Sequence, residues 1–134
     1  MPELLCLHLS GLRLRQGVVS MAYKAPEHYH LKVRVYNNEI AFGKGVAELL
    51  RRIAATGSLS AAYKSMGMSS SKAWKILRHA EADLGFALVH GSTGGASGGG
   101  TVLTDEGRQL LERYTAFDMA VQQAAERAFV KYFK

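Results

Sequence analysis

Hydrophobic positions change from a two-residue to a helical period near residue 45. From Leu31 to Phe42 apolar residues alternate with polar ones around Asn37 and Asn38, a pair that tolerates positive φ, so the pattern predicts a β-hairpin over residues 31–42. A helical stripe then predicts a helix over residues 45–56 that stops near Gly57. The stripe consists of Val46, Leu49, Leu50, Ile53 and Ala54.

Residues 58–84 are typical of two helices joined by a tight turn. Ser58 and Ser60 both offer N-caps for a short helix that ends at Gly67, and Ser69 offers the N-cap of the next helix. The residues expected to face inward are Ala61, Ala62, Tyr63 and Met66 in the first helix and Ala73, Leu77, Ala80 and Leu84 in the second. Trp74 is expected to pack between the second of these helices and either the helix over 45–56 or the hairpin. This arrangement indicates a helix-turn-helix.

Two short apolar runs flank a glycine-rich segment at residues 91–100 and predict a wing over residues 86–103. Thr104 caps a final helix over residues 105–132, with Asp105 and Glu106 in the first turn, where the helix dipole favours acids. A continuous helix would be about 40 Å long, which exceeds what a domain of this size needs. We therefore expect it to pair with the same helix of a second protomer. The expected dimer contacts are Leu110, Tyr114, Phe117, Val121, Ala125 and Ala128.

The pattern as a whole predicts a mainly α fold with small β elements, a single winged helix-turn-helix domain over residues 21–134. Residues 1–20 lack a clean period and are interpreted as an extension, either disordered or an artefact of an early start codon. No apolar run reaches 18 residues, so no membrane span is expected. The start does not resemble a secretory signal and Cys6 has no intramolecular partner, which favours the cytoplasm.

Charge is concentrated in the middle of the chain. The 134 residues carry 17 basic and 11 acidic side chains, a net charge of +6. Residues 43–79 alone carry seven basic residues and one acidic residue, a charge equal to the whole excess. Such clustering favours a polyanionic partner, nucleic acid before membrane, although a merely solvated face would have the same composition.

The second helix of the predicted motif has the residue types that reading DNA requires. Small hydroxyl residues at a helix N-terminus allow close approach to the major groove, and long cations further along reach phosphates or guanine. Ser70, Ser71, Lys72 and Lys75 are the candidates for base contacts, unless the serines are only first-turn residues. The full set of predicted DNA contacts is Ser58, Ser60, Ser69, Ser70, Ser71, Lys72, Lys75, Arg78 and, in the wing, Thr93, Gly94, Gly95 and Ser97.

Other chemistry has little support in the sequence. The wing loop has no lysine, which excludes a Walker nucleotide loop, and Glu48 replaces the third glycine of a dinucleotide fingerprint. Cys6 and His8 lack an orienting third group, and the histidine pair at residues 28 and 30 lacks further ligands. We therefore expect neither an enzyme nor a cofactor or bound metal.

Several of these motifs together resemble the N-terminal DNA-binding domain of the ModE family of molybdate-responsive regulators and, more distantly, the LysR-type winged helix. The resemblance covers roughly residues 31–117 and rests on Gly57-Ser58-Leu59-Ser60-Ala61-Ala62, Gly67-Met68-Ser69, Lys72-Ala73-Trp74, the glycine clusters of the wing and Leu103-Thr104-Asp105-Glu106-Gly107. It implies a dimeric winged helix-turn-helix that binds a pseudo-palindromic operator in double-stranded DNA and regulates transcription, with a link to molybdenum metabolism or transport. The alternative is an architectural or protein-interaction module that binds DNA without sequence preference.

The chain also departs from that family. Ser70 stands where an aromatic residue is usual and Ala96 where a basic residue is usual, so the family's base specificity is not carried over. The family's oxyanion-binding domains follow the DNA-binding domain, whereas this sequence ends at Lys134. We therefore expect a stand-alone DNA-binding member that does not bind molybdate directly.

Overall fold

The computed structural model describes residues 23–91 and 100–134. In those residues the elements follow in the order α1 (Lys44–Thr56), α2 (Leu59–Ser65), α3 (Ser70–Leu84), β1 (Val89–Gly91), β2 (Thr101–Leu103) and α4 (Asp105–Phe133). This order confirms the predicted mainly α fold with a winged helix-turn-helix. No helix in the described ranges is long and apolar enough to cross a membrane.

The described chain divides into two compact units. The larger unit is His30–Glu126 and contains the helix-turn-helix and the sheet. The smaller unit combines residues 23–29 with Arg127–Lys134. Within it the ring of Phe129 lies 4.9 Å from the ring of Tyr29 and 5.1 Å from that of Phe133.

The helix ends follow the capping residues in the sequence. Gly57 and Gly85 end α1 and α3 at φ 70° and 84°, a left-handed conformation that favours glycine. Of the two possible N-caps of α2, Ser58 is used, and its Oγ accepts the N–H of Ala61 at 3.0 Å. Ser69 caps α3, with its Oγ accepting the N–H of Lys72 at 3.1 Å.

The core of the larger unit lies between the three helices of the motif, the sheet and the start of α4. Phe42, Leu49, Leu50, Ile53, Leu77 and Leu88 are its largest fully buried side chains. Ala54 and Ala61 were expected to face inward but are exposed, because the buried arcs of α1 and α2 are narrower than the apolar patterns suggested. Tyr63, Met66 and Leu84 pack against the core from partly buried positions.

The segment before α1 is a loop rather than the predicted hairpin. A single antiparallel bridge joins Val35 to Phe42, with N···O distances of 2.9 and 3.3 Å, and no strand forms on either side within the described residues. Asn37 and Asn38 do not adopt positive φ. Their N–H groups instead donate to the carboxylate of Asp83 on α3, at 2.7 Å each. The loop amides are thus satisfied by a side chain rather than by a strand ladder, which alternation cannot reveal.

The base of the wing is held by pairing between its two strands and by hydrogen bonds to the ends of neighbouring helices. In the antiparallel sheet Val89 pairs with Leu103, and Thr101 N–H donates to the carbonyl of Gly57 at 2.9 Å. The hydroxyl of Thr104 donates to the carbonyl of Ala87 at 2.6 Å and accepts the N–H of Gly107 at 2.9 Å, which makes it the N-cap of α4, as predicted. These bonds fix where the wing leaves the helical core.

Tyr114 of α4 lies in the chain's own core. Its side chain is 3% exposed, its ring meets that of Phe42 edge-on at 5.1 Å, and its hydroxyl donates to the carbonyl of Val33 at 2.7 Å. Burial raises its pKa, and the nearby Asp118 carboxylate adds to the shift. The side chain was expected at a dimer contact, but it is already enclosed within one protomer.

Candidate nucleic-acid interface

The outer face of α3 is the surface most suited to an anionic partner. The opposite face is held against the core by the buried Ala73, Leu77 and Ala80, whose spacing of four and three residues defines one side of the helix. The helix is therefore presented with its polar side outward. The exposed polar residues on that side are Ser70, Ser71, Lys72, Lys75 and Arg78.

Hydroxyl groups converge where α2 meets the N-terminus of α3. The pKa of the Tyr63 hydroxyl is lowered, first by the hydroxyl of Ser70 and then by that of Ser60, both of which can donate a hydrogen bond to the ionised form. The sequence assigned Tyr63 only to the core. The residue's ring does pack there, but its hydroxyl lies among predicted site residues, which its spacing of three from Ser60 could have suggested.

The cations of α3 have different surroundings. Lys72 and Lys75 are exposed and form no ion pair with any residue in ranges 23–91 and 100–134. Arg78 instead donates from Nη1 to Oε1 of Glu81 at 3.1 Å. Its guanidinium carbon also lies 4.8 Å from the centroid of the Trp74 ring.

Trp74 lies on the outer face of α3, where it is 40% exposed. The prediction that it packs against α1 or the hairpin is therefore wrong. Position 74 is one residue beyond the buried Ala73, and a helix turns by about 100° per residue, so the indole is carried away from the core. The spacing of the predicted inward residues Ala73, Leu77 and Ala80 was the available signal that residue 74 faces outward.

Two arginines among the basic residues of 43–79 form hydrogen bonds within the fold and do not belong to the outer face of α3. Arg52 donates to Glu48 at 2.8 Å and to the hydroxyl of Ser65, and Arg51 reaches the hydroxyl of Thr115 on α4 at 2.8 Å. The hydrogen bond from Arg52 is the largest cause of the lowered pKa of Glu48. The net charge of residues 43–79 therefore overstates the charge that is available to a partner.

The other predicted contacts fall in two groups. Ser58, Ser60 and Ser69 are close to helix starts, and Ser58 and Ser69 already use Oγ as N-cap acceptors, which leaves their hydroxyl protons as donors. The predicted wing contacts Thr93, Gly94, Gly95 and Ser97 lie outside the described residues.

The loop over residues 36–41 is hydrogen bonded to the C-terminal part of α3, a contact that was not predicted from the sequence. Besides Asn37 and Asn38, Glu39 donates its N–H to Asp83, at 2.8 Å, and these backbone bonds, first that of Asn37, lower the pKa of Asp83. His79 Nε2 lies 3.3 Å from the carbonyl oxygen of Ile40. The only signal in the sequence was the spacing of four residues between His79 and Asp83 near the end of α3. That spacing does not indicate which distant segment the two side chains contact.

Metal-ligating side chains do not cluster in the part of the chain that the structure describes: it holds no group of three or more His, Cys, Asp or Glu residues placed to bind an ion. His28 and His30 belong to that part, whereas Cys6 and His8 lie outside it.

Comparison with known proteins agrees with this geometry. Residues 47–108 match the model of the bacterial regulatory helix-turn-helix protein, lysR family. The matched range begins inside α1, includes α2, α3 and the wing, and ends in the first turn of α4.

Curated relatives match more than half of the chain at moderate identity. The chain is 37% identical over 76 residues to the DNA-binding transcriptional dual regulator ModE of Escherichia coli, which covers 57% of this chain and 29% of that protein. It is 38% identical over 73 residues to the molybdenum-pterin-binding protein MopB of Rhodobacter capsulatus, covering 54% and 27%. For the molybdenum transport protein ModE of Azotobacter vinelandii the identity is 35% over 79 residues, covering 59% and 29%. The chain thus spans less than a third of the length of these relatives.

Proposed function

Because residues 47–108 match the model of the lysR-family regulatory helix-turn-helix and contain the observed helix-turn-helix, we propose that this protein is a transcriptional regulator that binds double-stranded DNA in a sequence-specific manner. In this proposal α3 enters the major groove, and the wing contacts the adjacent backbone. The proposal concerns binding and regulation, and it assigns no catalytic step and no cofactor to the chain.

The outer face of α3 is the observation that carries the proposal. It begins with hydroxyl side chains and continues with the exposed Lys72 and Lys75, while its inner face is committed to the core. Hydroxyls can bond base edges or phosphates at close range, and lysines attract phosphates without demanding one geometry. We propose that Ser58, Ser60 and Ser69 contact the backbone at the helix starts, and that the wing residues Thr93, Gly94, Gly95 and Ser97 contact it beside the groove.

We also propose a homodimer that associates through α4. The proposed contact consists of Leu110, Phe117, Val121, Ala125 and Ala128, and it omits Tyr114, which is enclosed in the core. Phe117 is 51% exposed, although it lies in the middle of a long helix, and burial against a second copy would remove this apolar surface from water. Two protomers related by a two-fold axis would read a pseudo-palindrome with half-sites about 34 Å, or one helical turn of DNA, apart.

The regulated genes are proposed to serve molybdenum metabolism or transport. The support is the names of the relatives described above, two of which refer to molybdenum. The match covers less than a third of these relatives, so the proposal concerns the genes that are regulated and not the signal that is sensed.

Binding to the DNA upstream of the protein's own gene tests the proposed function. Purified protein is titrated into labelled DNA, fluorescence anisotropy is read over a salt series, and unlabelled random DNA is added as competitor. We expect binding that survives an excess of competitor, since specific sites exceed non-specific ones by about a thousandfold or more in affinity. The same competition is repeated with sites selected from a pool of random DNA. If random competitor abolishes binding both to the upstream DNA and to the selected sites, sequence specificity is contradicted and an architectural module is favoured.

The same titration with molybdate tests the expectation that the anion does not bind this chain directly. Unchanged affinity is expected. A molybdate-dependent shift in affinity would contradict that expectation while leaving the proposed DNA binding intact.

A further inference from the structure

Arg78 is held between two neighbours on the outer face of α3. Trp74 precedes it by one turn and lies against its guanidinium at 4.8 Å, and Glu81 follows it by three residues and accepts from Nη1 at 3.1 Å. A flat cation stacked on an aromatic face and bonded at one edge has few orientations left. This restraint distinguishes Arg78 from Lys72 and Lys75 on the same face.

Glu81 is itself anchored, so the restraint is rigid. Its Oε2 accepts the N–H of Leu88 at 2.7 Å, just before β1, and its side chain is only 10% exposed, against 67% for Arg78. A hydrogen-bonded series therefore runs from the base of the wing through Glu81 to the guanidinium. The carboxylate does not have to give up its inner bond to hold the arginine.

The bond to Glu81 leaves most of the guanidinium available. An arginine has five N–H donors in a planar fork, and Glu81 engages one of them. The remaining donors suffice for two parallel bonds to O6 and N7 of guanine, the most common specific contact in the major groove. Because the side chain is fixed before binding, less conformational entropy is lost on contact. This favours a contact that requires one orientation, such as the pair of hydrogen bonds to guanine.

Burial in the core does not explain the position of Trp74. Trp74 is 40% exposed and lies on the polar face of the helix, where its ring provides the platform for Arg78. From these contacts we propose that Arg78 reads a guanine of the operator and that Trp74 and Glu81 are positioning residues that hold it for that contact. The inference rests on the proposed function and extends it to a specificity-determining residue.

The test measures base preference separately from affinity. Sites are selected by the wild-type protein from a pool of random DNA, and dissociation constants are measured for the selected site, for sites with each guanine replaced by adenine, and for random DNA. The variants are Arg78→Lys, Trp74→Leu, Trp74→Phe and Glu81→Gln.

Each substitution removes one part of the restraint. Glu81→Gln keeps a side-chain oxygen for the N–H of Leu88 but loses the charge, and Trp74→Phe keeps an aromatic face where Trp74→Leu does not. Glu48→Gln is the control, because it removes the charge that pairs with Arg51 and Arg52 on α1, away from the outer face of α3.

We expect Arg78→Lys, Trp74→Leu and Glu81→Gln each to lose about tenfold of the preference for guanine at one and the same position. Random-DNA affinity is expected to change little, Trp74→Phe to retain most of the preference, and Glu48→Gln to retain all of it. Melting curves establish that each variant is folded, and the exposed position of Trp74 keeps the Leu and Phe pair informative if Glu81→Gln unfolds.

Two outcomes would overturn the proposal. An unchanged guanine preference in Arg78→Lys would show that Arg78 does not read the base, because a lysine can replace an arginine at a phosphate but not in a two-bond contact to guanine. An unchanged preference in Trp74→Leu would remove the positioning role. Failure of the proposed function is distinguishable from both, because in that case the wild-type protein enriches no sequence at all.

Discussion

Gly107, in the first turn of α4, lies directly against the backbone of Leu88. A Cβ atom at position 107 would overlap the carbonyl oxygen of Leu88 and lie 3.1 Å from its Cα. The same carbonyl accepts the N–H of Thr104 at 3.0 Å. The start of α4 and the base of the wing can therefore meet only because residue 107 has no side chain.

Gly107→Ala is expected to destabilise the fold by about 2 kcal/mol, because the backbone of Leu88 must move away from its bond to Thr104. Urea denaturation of both proteins measures the loss. Gly45→Ala in α1 is the control: a Cβ there meets nothing within 4 Å, and alanine should stabilise the helix by about 0.5 kcal/mol. Equal effects of the two substitutions would contradict the close contact at Gly107.

Asp83→Asn is expected to weaken the attachment of the loop over residues 36–41 to α3. The carboxylate of Asp83 accepts three backbone N–H groups, and its folded-state pKa is lowered. The bonds to the ionised form therefore stabilise the fold above the ordinary pKa of an aspartate, and this contribution is lost as the pH falls through the lowered value. The free energy of unfolding, measured from pH 7 to pH 2, should decline less in the variant than in the wild type. The exposed Glu112→Gln is the control and should follow the wild-type curve.

Replacing Phe117 by serine is expected to weaken self-association by about tenfold or more, since a phenylalanine loses its burial in the proposed dimer. Sedimentation velocity over a concentration series measures the change. Tyr36→Ser removes an aromatic residue of similar exposure, 53% against 51%, from the loop before α1 and should leave association unchanged. A monomeric wild-type protein, or equal effects of both substitutions, would contradict the α4 interface.

Lys72→Ala and Lys75→Ala separate backbone contacts from base contacts. For a phosphate contact, each substitution should weaken binding to all sequences alike and reduce the slope of log K against log salt by about 0.9, because fewer counterions are released. For a base contact, the variant should instead lose preference at one position. Lys131→Ala, near the end of α4, should leave the slope unchanged. If Lys72 and Lys75 behave as Lys131 does, α3 is not the element that contacts DNA.

Local physics determined much of this structure from the sequence alone. The apolar periods placed α1, α3 and α4, and the serines, threonine and glycines at their ends marked where the helices begin and end, because a cap bonds to backbone groups only two or three residues away. The wing followed from two short apolar runs around a glycine-rich segment. The mainly α fold and the helix-turn-helix were predictable because each depends on neighbours in the chain.

Only the tertiary structure decided the long-range contacts and the burial of several residues. Asp83 and the amides of residues 37–39 are more than 40 positions apart, and Tyr114 and Val33 are 81 apart, so no local pattern links them. The hairpin prediction failed because a distant carboxylate satisfies the loop. Trp74 is a different case, since the predicted inward positions Ala73, Leu77 and Ala80 already placed residue 74 off the buried face of α3. The need for glycine at position 107 was also invisible in the sequence. It arises because the backbones of α4 and Leu88 come into contact, and that contact exists only once the chain has folded.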